Sequence, residues 1–305
     1  MPIKKVITRL LNKLRYIKES YKEGSKFKKN SYYPVAHYYS PITEVEEIKK
    51  NAIQIWSRAN VDGVAGINLN TESQIKLVEN DLSQFYDELP FLTEKQEGLR
   101  YYFNNNYYTY TDGIVLYAMM RSFKPKKIIE IGSGFSSAVM LDTNELFFEN
   151  QIQLTFIEPH PDRLYSLINK SDEQSTQIIV KEIQTINLEI FEKLEANDIL
   201  FIDSSHVVKT GSDVNQILFE ILPRLKSGVL IHFHDIFYPF EYPKEWVYEG
   251  RNWNEDYFLK AFLMYNSEFE IKLFSHYIHQ HHQEVFKKMP LAYKNTGGNL
   301  WIEKK

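Results

Sequence analysis

Apolar positions along the chain change their period twice. In MPIKKVITRLLNKLRYIKES, Ile3, Val6, Ile7, Leu10, Leu11, Leu14 and Ile17 step by three and four. That spacing predicts a helix with one apolar stripe, and Lys4, Lys5, Arg9, Lys13, Arg15 and Lys18 cover its remaining surface. Residues 21–40 keep neither period and read as a polar, tyrosine-rich connector. From Pro41 to Arg100 the spacing is mostly helical, clearest in ITEVEEIKKNAIQIW and ESQIKLVENDLSQFYDEL, with Asn70 among the N-caps of the second. Residues 101–123 are a tyrosine-rich loop and then a helix beginning near Thr111 or Asp112.

Beyond Pro125 the texture changes. KKIIEIGSGFSS, LTFIEPHPDRL, TQIIVKE, DILFIDSSH and SGVLIHFHD are short apolar runs, each closed by a polar or charged cluster. Helical patterns over 136–148, 161–168, 188–194 and 211–222 separate them. Strands alternating with helices predict an α/β fold with a doubly wound parallel sheet, whose strands are continuously apolar because both faces are covered. Ligands of such sheets sit at the carboxyl ends of the strands, where every polar cluster falls.

Composition narrows the chemistry. The chain has 305 residues and no cysteine, which excludes disulfides, thiolate metal sites and a cysteine nucleophile. With no apolar run near 18 residues and no signal-peptide core, a cytoplasmic protein is expected. Residues 1–30 carry a local charge of +8, so about −12 falls on the remainder of a chain of net charge −4. An acidic body argues against nucleic acid as a partner. The basic helix suits either docking on its own body or a second subunit, or an anionic membrane, where each base contributes about 1 kcal/mol. Residues 3–17 are therefore the expected contact for a homo-oligomer or for a peripheral position at the inner membrane face.

Each strand end offers a role. The loop Glu130-Ile131-Gly132-Ser133-Gly134 lets the backbone turn sharply and approach a ligand, and Glu130 suits a cationic ligand group. A dinucleotide fingerprint wants a third glycine where Ser137 stands. Glu158 ends the second strand, where a carboxylate can accept both hydroxyls of a ribose. Gln184 follows the third and can reach an adenine edge or remain a solvated loop residue. Asp203 and His206 end the fourth strand, His234 and Asp235 the fifth. His232 and His234 are read as straddling the pleat and pointing to opposite faces, which makes His232 structural. His276, His279, His281 and His282 form a tract whose directions alternate, which disfavours a metal site.

These motifs resemble the class I S-adenosylmethionine-dependent methyltransferases. IIEIGSGFSS is similar to their glycine loop, FIEP to the acidic second strand end, and ILFIDSSH with GVLIHFHDIF to the fourth and fifth strands. DSSH followed by ILPRLKSG and HFHD resembles the small-molecule O-methyltransferases of methyltransferase family 24. The resemblance covers about residues 100–305. It implies a Rossmann-like sheet of seven strands, mostly parallel with an antiparallel last strand, the final two drawn from 267–275 and 298–305. The expected domains are 1–30, a basic amphipathic helix and connector; 31–100, a mainly helical cap; and 101–305, the cofactor-binding domain. Cofactor contacts are implied for Glu130, Gly132, Ser133, Gly134, Ser136, Glu158, Gln184 and Asp203.

Methyl transfer to a hydroxyl needs a base, and histidine titrates near neutrality. His206 is the preferred base, with Asp203 and His234 as further catalytic candidates. Asp203 and Asp235 match positions that hold Mg²⁺ in several enzymes of this fold, although the residue after the second aspartate is Ile236, which cannot coordinate. The loop IFYPFEYPKEWVYEGRNWNEDYF suggests a substrate lid through Tyr238, Tyr242, Trp246 and Trp253, with Tyr110 opposite. Its composition favours a saccharide or glycoconjugate acceptor. Two other classes stay open. One is a non-catalytic binding or partner subunit, and the other a nucleotide-cofactor oxidoreductase or epimerase, which Ser137 disfavours.

Overall fold

The apolar runs become strands of one seven-stranded sheet ordered β3-β2-β1-β4-β5-β7-β6. They are β1 (Lys127–Ile131), β2 (Gln153–Ile157), β3 (Gln177–Ile179), β4 (Ile199–Ile202), β5 (Leu230–His234), β6 (Phe269–Phe274) and β7 (Asn299–Lys304). The computed structural model describes residues 3–58 and 60–305, with side chains described from residue 13. Strands β1 to β5 pair in parallel, and β7 runs antiparallel to both β5 and β6. Every residue of β4 and β5 is buried, as covered central strands require, including the two histidines His232 and His234 of β5. The order reverses between β1 and β4, the point where sheets of this class open a ligand crevice.

The helix Tyr110–Phe123 starts one residue before the expected position and buries Thr111 through Met120. Phe135–Phe148 likewise buries its first ten residues, so both are core helices, apolar on most sides. The pattern over 211–222 is divided more finely. An α-turn at Asp213–Gln216, capped by the Ser212 hydroxyl, passes into π-turns at Ile217–Ile221 and a 3₁₀ turn at Leu222–Arg224 carrying Pro223. Asn70 begins its helix in the left-handed region and makes no side-chain cap. Its amide instead donates to the Ile271 carbonyl at 3.2 Å.

The chain forms two compact units. The larger is Gln54–Lys244 with Trp253–Lys305, and the smaller is Met1–Ile53 with Glu245–Asn252. The boundary expected at residue 100 therefore falls inside the larger unit. Buried polar groups explain why. Phe274 in β6 donates its N–H to Gln74 Oε1 at 2.7 Å. Arg100 donates through Nε (2.7 Å) and Nη2 (2.6 Å) to the two oxygens of Asp172, and through Nη1 (2.8 Å) to Asp142. Phe91, Tyr101, Phe103 and Tyr117 pack edge to face beside it. Residues 69–100 thus contribute buried side chains, among them Leu69, Val78, Leu82 and Phe91, to the core of the larger unit.

In the smaller unit one helix runs from Ile3 to Asn30. Of its apolar stripe, Leu14 and Ile17 are exposed. Ile3, Val6, Ile7, Leu10 and Leu11 lie outside the residues whose side chains are described. Among the described residues no helix is long and apolar enough to cross a membrane.

Arg100→Ala would leave two buried carboxylates, Asp142 and Asp172, without their cation. A loss of about 3–5 kcal/mol is expected. It should appear as a lower urea midpoint at unchanged m-value; a midpoint within error of the wild type would show that the pair adds nothing.

Candidate active site

The crevice begins where β1 and β4 end. Gly132 donates its N–H to the Ile157 carbonyl at 3.0 Å, and Asp203 donates to Ile131 at 2.8 Å, so pairing runs one residue past each strand. Gly132 has φ +82, and a Cβ there would lie 1.9 Å from the Asp203 carbonyl oxygen. Only glycine fits. Glu158, at the end of β2, accepts from Ser133 N–H at 3.2 Å and His160 N–H at 2.7 Å, so its carboxylate also fastens the glycine loop. Gly134 donates its N–H to Ser137 Oγ at 3.0 Å. Gly132, Glu158, Gln184 and Asp203 line one cleft of about 550 Å³. Gln184 donates to the Gly211 carbonyl at 2.8 Å, which orients its amide at the cleft wall.

Two of the expected cofactor contacts are corrected. Glu130 is completely buried and cannot meet a cationic ligand group. Ser136 Oγ donates to it at 2.5 Å and Ser137 Oγ donates to its other oxygen, so it braces the loop from behind. Ser136 is buried with it. Burial pushes the Glu130 carboxyl up to about 8, against the opposing effect of the serine hydroxyls.

At the adjoining ends of β4 and β5, His206 lies among carboxylates. Its Nε2 is 3.4 Å from Asp203 and 3.6 Å from Asp235, and its Nδ1 is 2.9 Å from Glu255. Asp203, His206 and Asp235 each present a ligand atom within 4.8 Å of the others, a spacing that fits one cation. His206 and Asp235 have φ of +59 and +57, left-handed conformations that are uncommon for non-glycine residues and gather at functional sites. The backbone here is held from outside. Asn254 and Glu255 donate their N–H groups to the His206 carbonyl at 3.0 and 3.2 Å, which sets the helix Glu255–Leu263 against the imidazole.

The charges follow from these distances. Burial alone would strip His206 of its proton, but Asp203 and Glu255 hold it well above the ordinary histidine range. Burial opposes a charge on His234 too, yet Asp235 and Asp203 push it up to about 10. Burial would raise Asp203, but His234 and His206 hold it well below the usual carboxylate range. Asp235 is raised by burial, with both imidazoles acting in the opposite direction.

His232 and His234 do not point to opposite faces. Residues two apart on a strand share a face, and the two rings lie 6.2 Å apart and nearly parallel. His232 is fully buried, stacked on Phe201 at 3.9 Å, and burial drives it well below its usual range. The later histidines are dispersed: His276 Nδ1 accepts from Tyr238 N–H, and His279 stacks on Phe286.

The lid is corrected in part. Tyr238 and Tyr242 are buried, the former donating its hydroxyl to the Val61 carbonyl, the latter accepting from Asp256 N–H at 3.2 Å. Tyr110 stacks on Phe103. Trp246 belongs to the smaller unit, where Arg251 lies over its ring. Trp253 is the aromatic that meets the cluster, its ring 4.3 Å from that of His206. Glu255 was not singled out in the sequence. It stands 49 residues from His206 in an acidic, aromatic stretch whose carboxylates look alike.

Residues 129–236 match a family model described as a methyltransferase domain. The chain is 31% identical over 167 residues to an uncharacterized protein of Archaeoglobus fulgidus, covering 54% of this chain and 75% of that one. Among solved structures it is similar to the S-adenosylhomocysteine-bound Podospora anserina methyltransferase PaMTH1, at 14% identity and a TM-score of 0.41, covering 87% and 98% of the two chains. It is also similar to the apo structure of CmcI-N160, at 15% identity and a TM-score of 0.40, covering 63% and 70%.

Glu130 gives a pH signature. The folded protein holds its proton up to about pH 8, whereas the unfolded value is 4.5. Its contribution to stability is therefore complete below pH 4.5 and lost as pH rises through about 8. Glu130→Gln should flatten the decline of unfolding free energy across that window. Parallel stability curves for variant and wild type would exclude this role.

Proposed function

We propose that the chain, whose residues 129–236 match a methyltransferase domain, is a class I S-adenosylmethionine-dependent methyltransferase that methylates a hydroxyl oxygen of a small molecule with His206 as general base. The observation that carries the proposal is the placement of His206 Nε2 between Asp203, which lines the cleft, and Asp235, with Nδ1 fixed on Glu255.

The residues at the cleft suit the cofactor. Gly132 leaves its backbone open to close approach, Glu158 retains lone pairs for two ribose hydroxyls, and Gln184 stands at the third strand end. S-adenosylmethionine supplies a methyl group on a sulfonium, whose carbon–sulfur bond breaks as the oxygen–carbon bond forms. His206 takes the acceptor's proton at Nε2. Glu255 keeps the ring oriented and stabilises the imidazolium that results, the role a carboxylate plays behind a catalytic histidine. Glu255 is thus a positioning residue, itself held by the Ser204 hydroxyl at 2.9 Å.

Three carboxylates around one imidazole make it a poor base at neutral pH. A divalent cation such as Mg²⁺ held by Asp203 and Asp235 would fit the spacing and would relieve this, because those carboxylates would then no longer stabilise a protonated His206. Bound there it would also bind and acidify a hydroxyl, with a vicinal diol such as a saccharide or catechol offering two oxygens. The burial of Tyr238 and Tyr242 leaves a saccharide resting on this diol argument alone.

His206→Asn is expected to lower kcat by about 10²- to 10⁴-fold with S-adenosylmethionine affinity within about threefold by calorimetry; undiminished kcat would remove His206 as the base. After EDTA treatment the acid limb of the pH–rate profile should lie above neutrality and move down when Mg²⁺ is restored. A profile indifferent to both removes the cation. Glu255→Gln should shift the same limb toward lower pH, since one negative charge no longer holds the His206 proton. A loss of kcat without a shift would mean that Glu255 is only structural.

A further inference from the structure

The helix Ile3–Asn30 lies in the smaller unit and carries none of the candidate site residues. From residue 13 to residue 30 every side chain except that of Phe27 is exposed. Leu14, Ile17 and Tyr21 are 60%, 53% and 79% exposed and, at spacings of three and four, share one face. At 100° per residue Lys18 and Lys22 border that face on one side and Lys13 on the other. The same apolar period runs back in sequence through Leu10, Ile7 and Ile3. Residues 13–30 hold seven Lys/Arg and two Glu. Exposed tyrosines follow directly, Tyr32, Tyr38 and Tyr39.

We propose that this helix is a surface anchor that lies in the interface of an anionic lipid bilayer, with Leu14 and Ile17 inserted among the acyl chains and Tyr21 and the flanking lysines at the headgroups. An apolar stripe bordered by bases, without the apolar bulk of a spanning segment, is the pattern of an interfacial helix, and tyrosine favours the headgroup level. A second copy of the chain is the poorer occupant. A twofold pairing through this stripe would set the same excess of positive charge against itself, whereas subunit interfaces are depleted of charge at their centres. Anionic headgroups neutralise that charge and leave the stripe free to insert.

The test is co-sedimentation of the full chain with phosphatidylcholine vesicles, with and without about 30% phosphatidylglycerol, an anionic content chosen to give a strong surface potential. Binding should require the anionic lipid and weaken at least about tenfold when salt is raised from about 0.1 to 0.5 M. The double variant Leu14→Glu, Ile17→Glu should abolish it, at unchanged melting temperature and unchanged affinity for S-adenosylhomocysteine. Equal sedimentation with both lipid compositions, absence of binding, or retention by the variant would overturn the proposal. Sedimentation velocity without vesicles supplies the other arm. A dimer that the variant converts to monomer would assign the stripe to a subunit contact and overturn the lipid reading.

Discussion

The close approach of Gly132 to the Asp203 carbonyl is the constraint on which the rest of the site depends. Parallel pairing of β1 with β4 carries both chains one residue past their strands, and a side chain at 132 would have no space. That contact fixes the edge of the crevice. On one side the glycine loop turns into its helix, braced by Glu130 from behind and by Glu158 from the neighbouring strand end. On the other side Asp203 emerges at a defined distance from His206, His234 and Asp235. Cofactor loop and acid–base cluster are therefore one mechanical unit, built at the reversal of strand order.

Electrostatics then decide what the cluster can do. Burying imidazoles and carboxylates together makes each group's charge conditional on its neighbours. His206 retains its proton because Asp203 and Glu255 hold it against the effect of burial, and His234 because it faces Asp235 and Asp203. The proposed base and the proposed cation site are thus coupled by geometry, since the same carboxylates would serve both.

The sheet was legible because buried parallel strands leave unbroken apolar runs, and because Gly132, Glu158, Asp203 and Asp235 close those runs. What lay behind the strand ends was not legible. Glu130 has the same place in sequence as a ligand-facing carboxylate, and only the hydroxyls of Ser136 and Ser137 reveal that it faces inward. Tyr238 and Tyr242 sit in a proline-rich loop that reads as exposed, yet that loop is drawn into the core by Val61 and Asp256. The His232 and His234 reading failed on the period of a strand itself. Glu255 reaches His206 through tertiary packing, which no local pattern encodes.

The smaller compact unit is assembled from two separated stretches, 1–53 and 245–252, joined by bonds such as Thr43 N–H to Asn252 Oδ1 at 3.0 Å and by Lys49 over the Tyr248 ring. Trimming the chain at its start is consequently not the removal of a module. A protein beginning at residue 54 would keep an eight-residue insertion stripped of its own fold, directly before Trp253 and Glu255. Any exchange of this unit between related proteins has to move both stretches together.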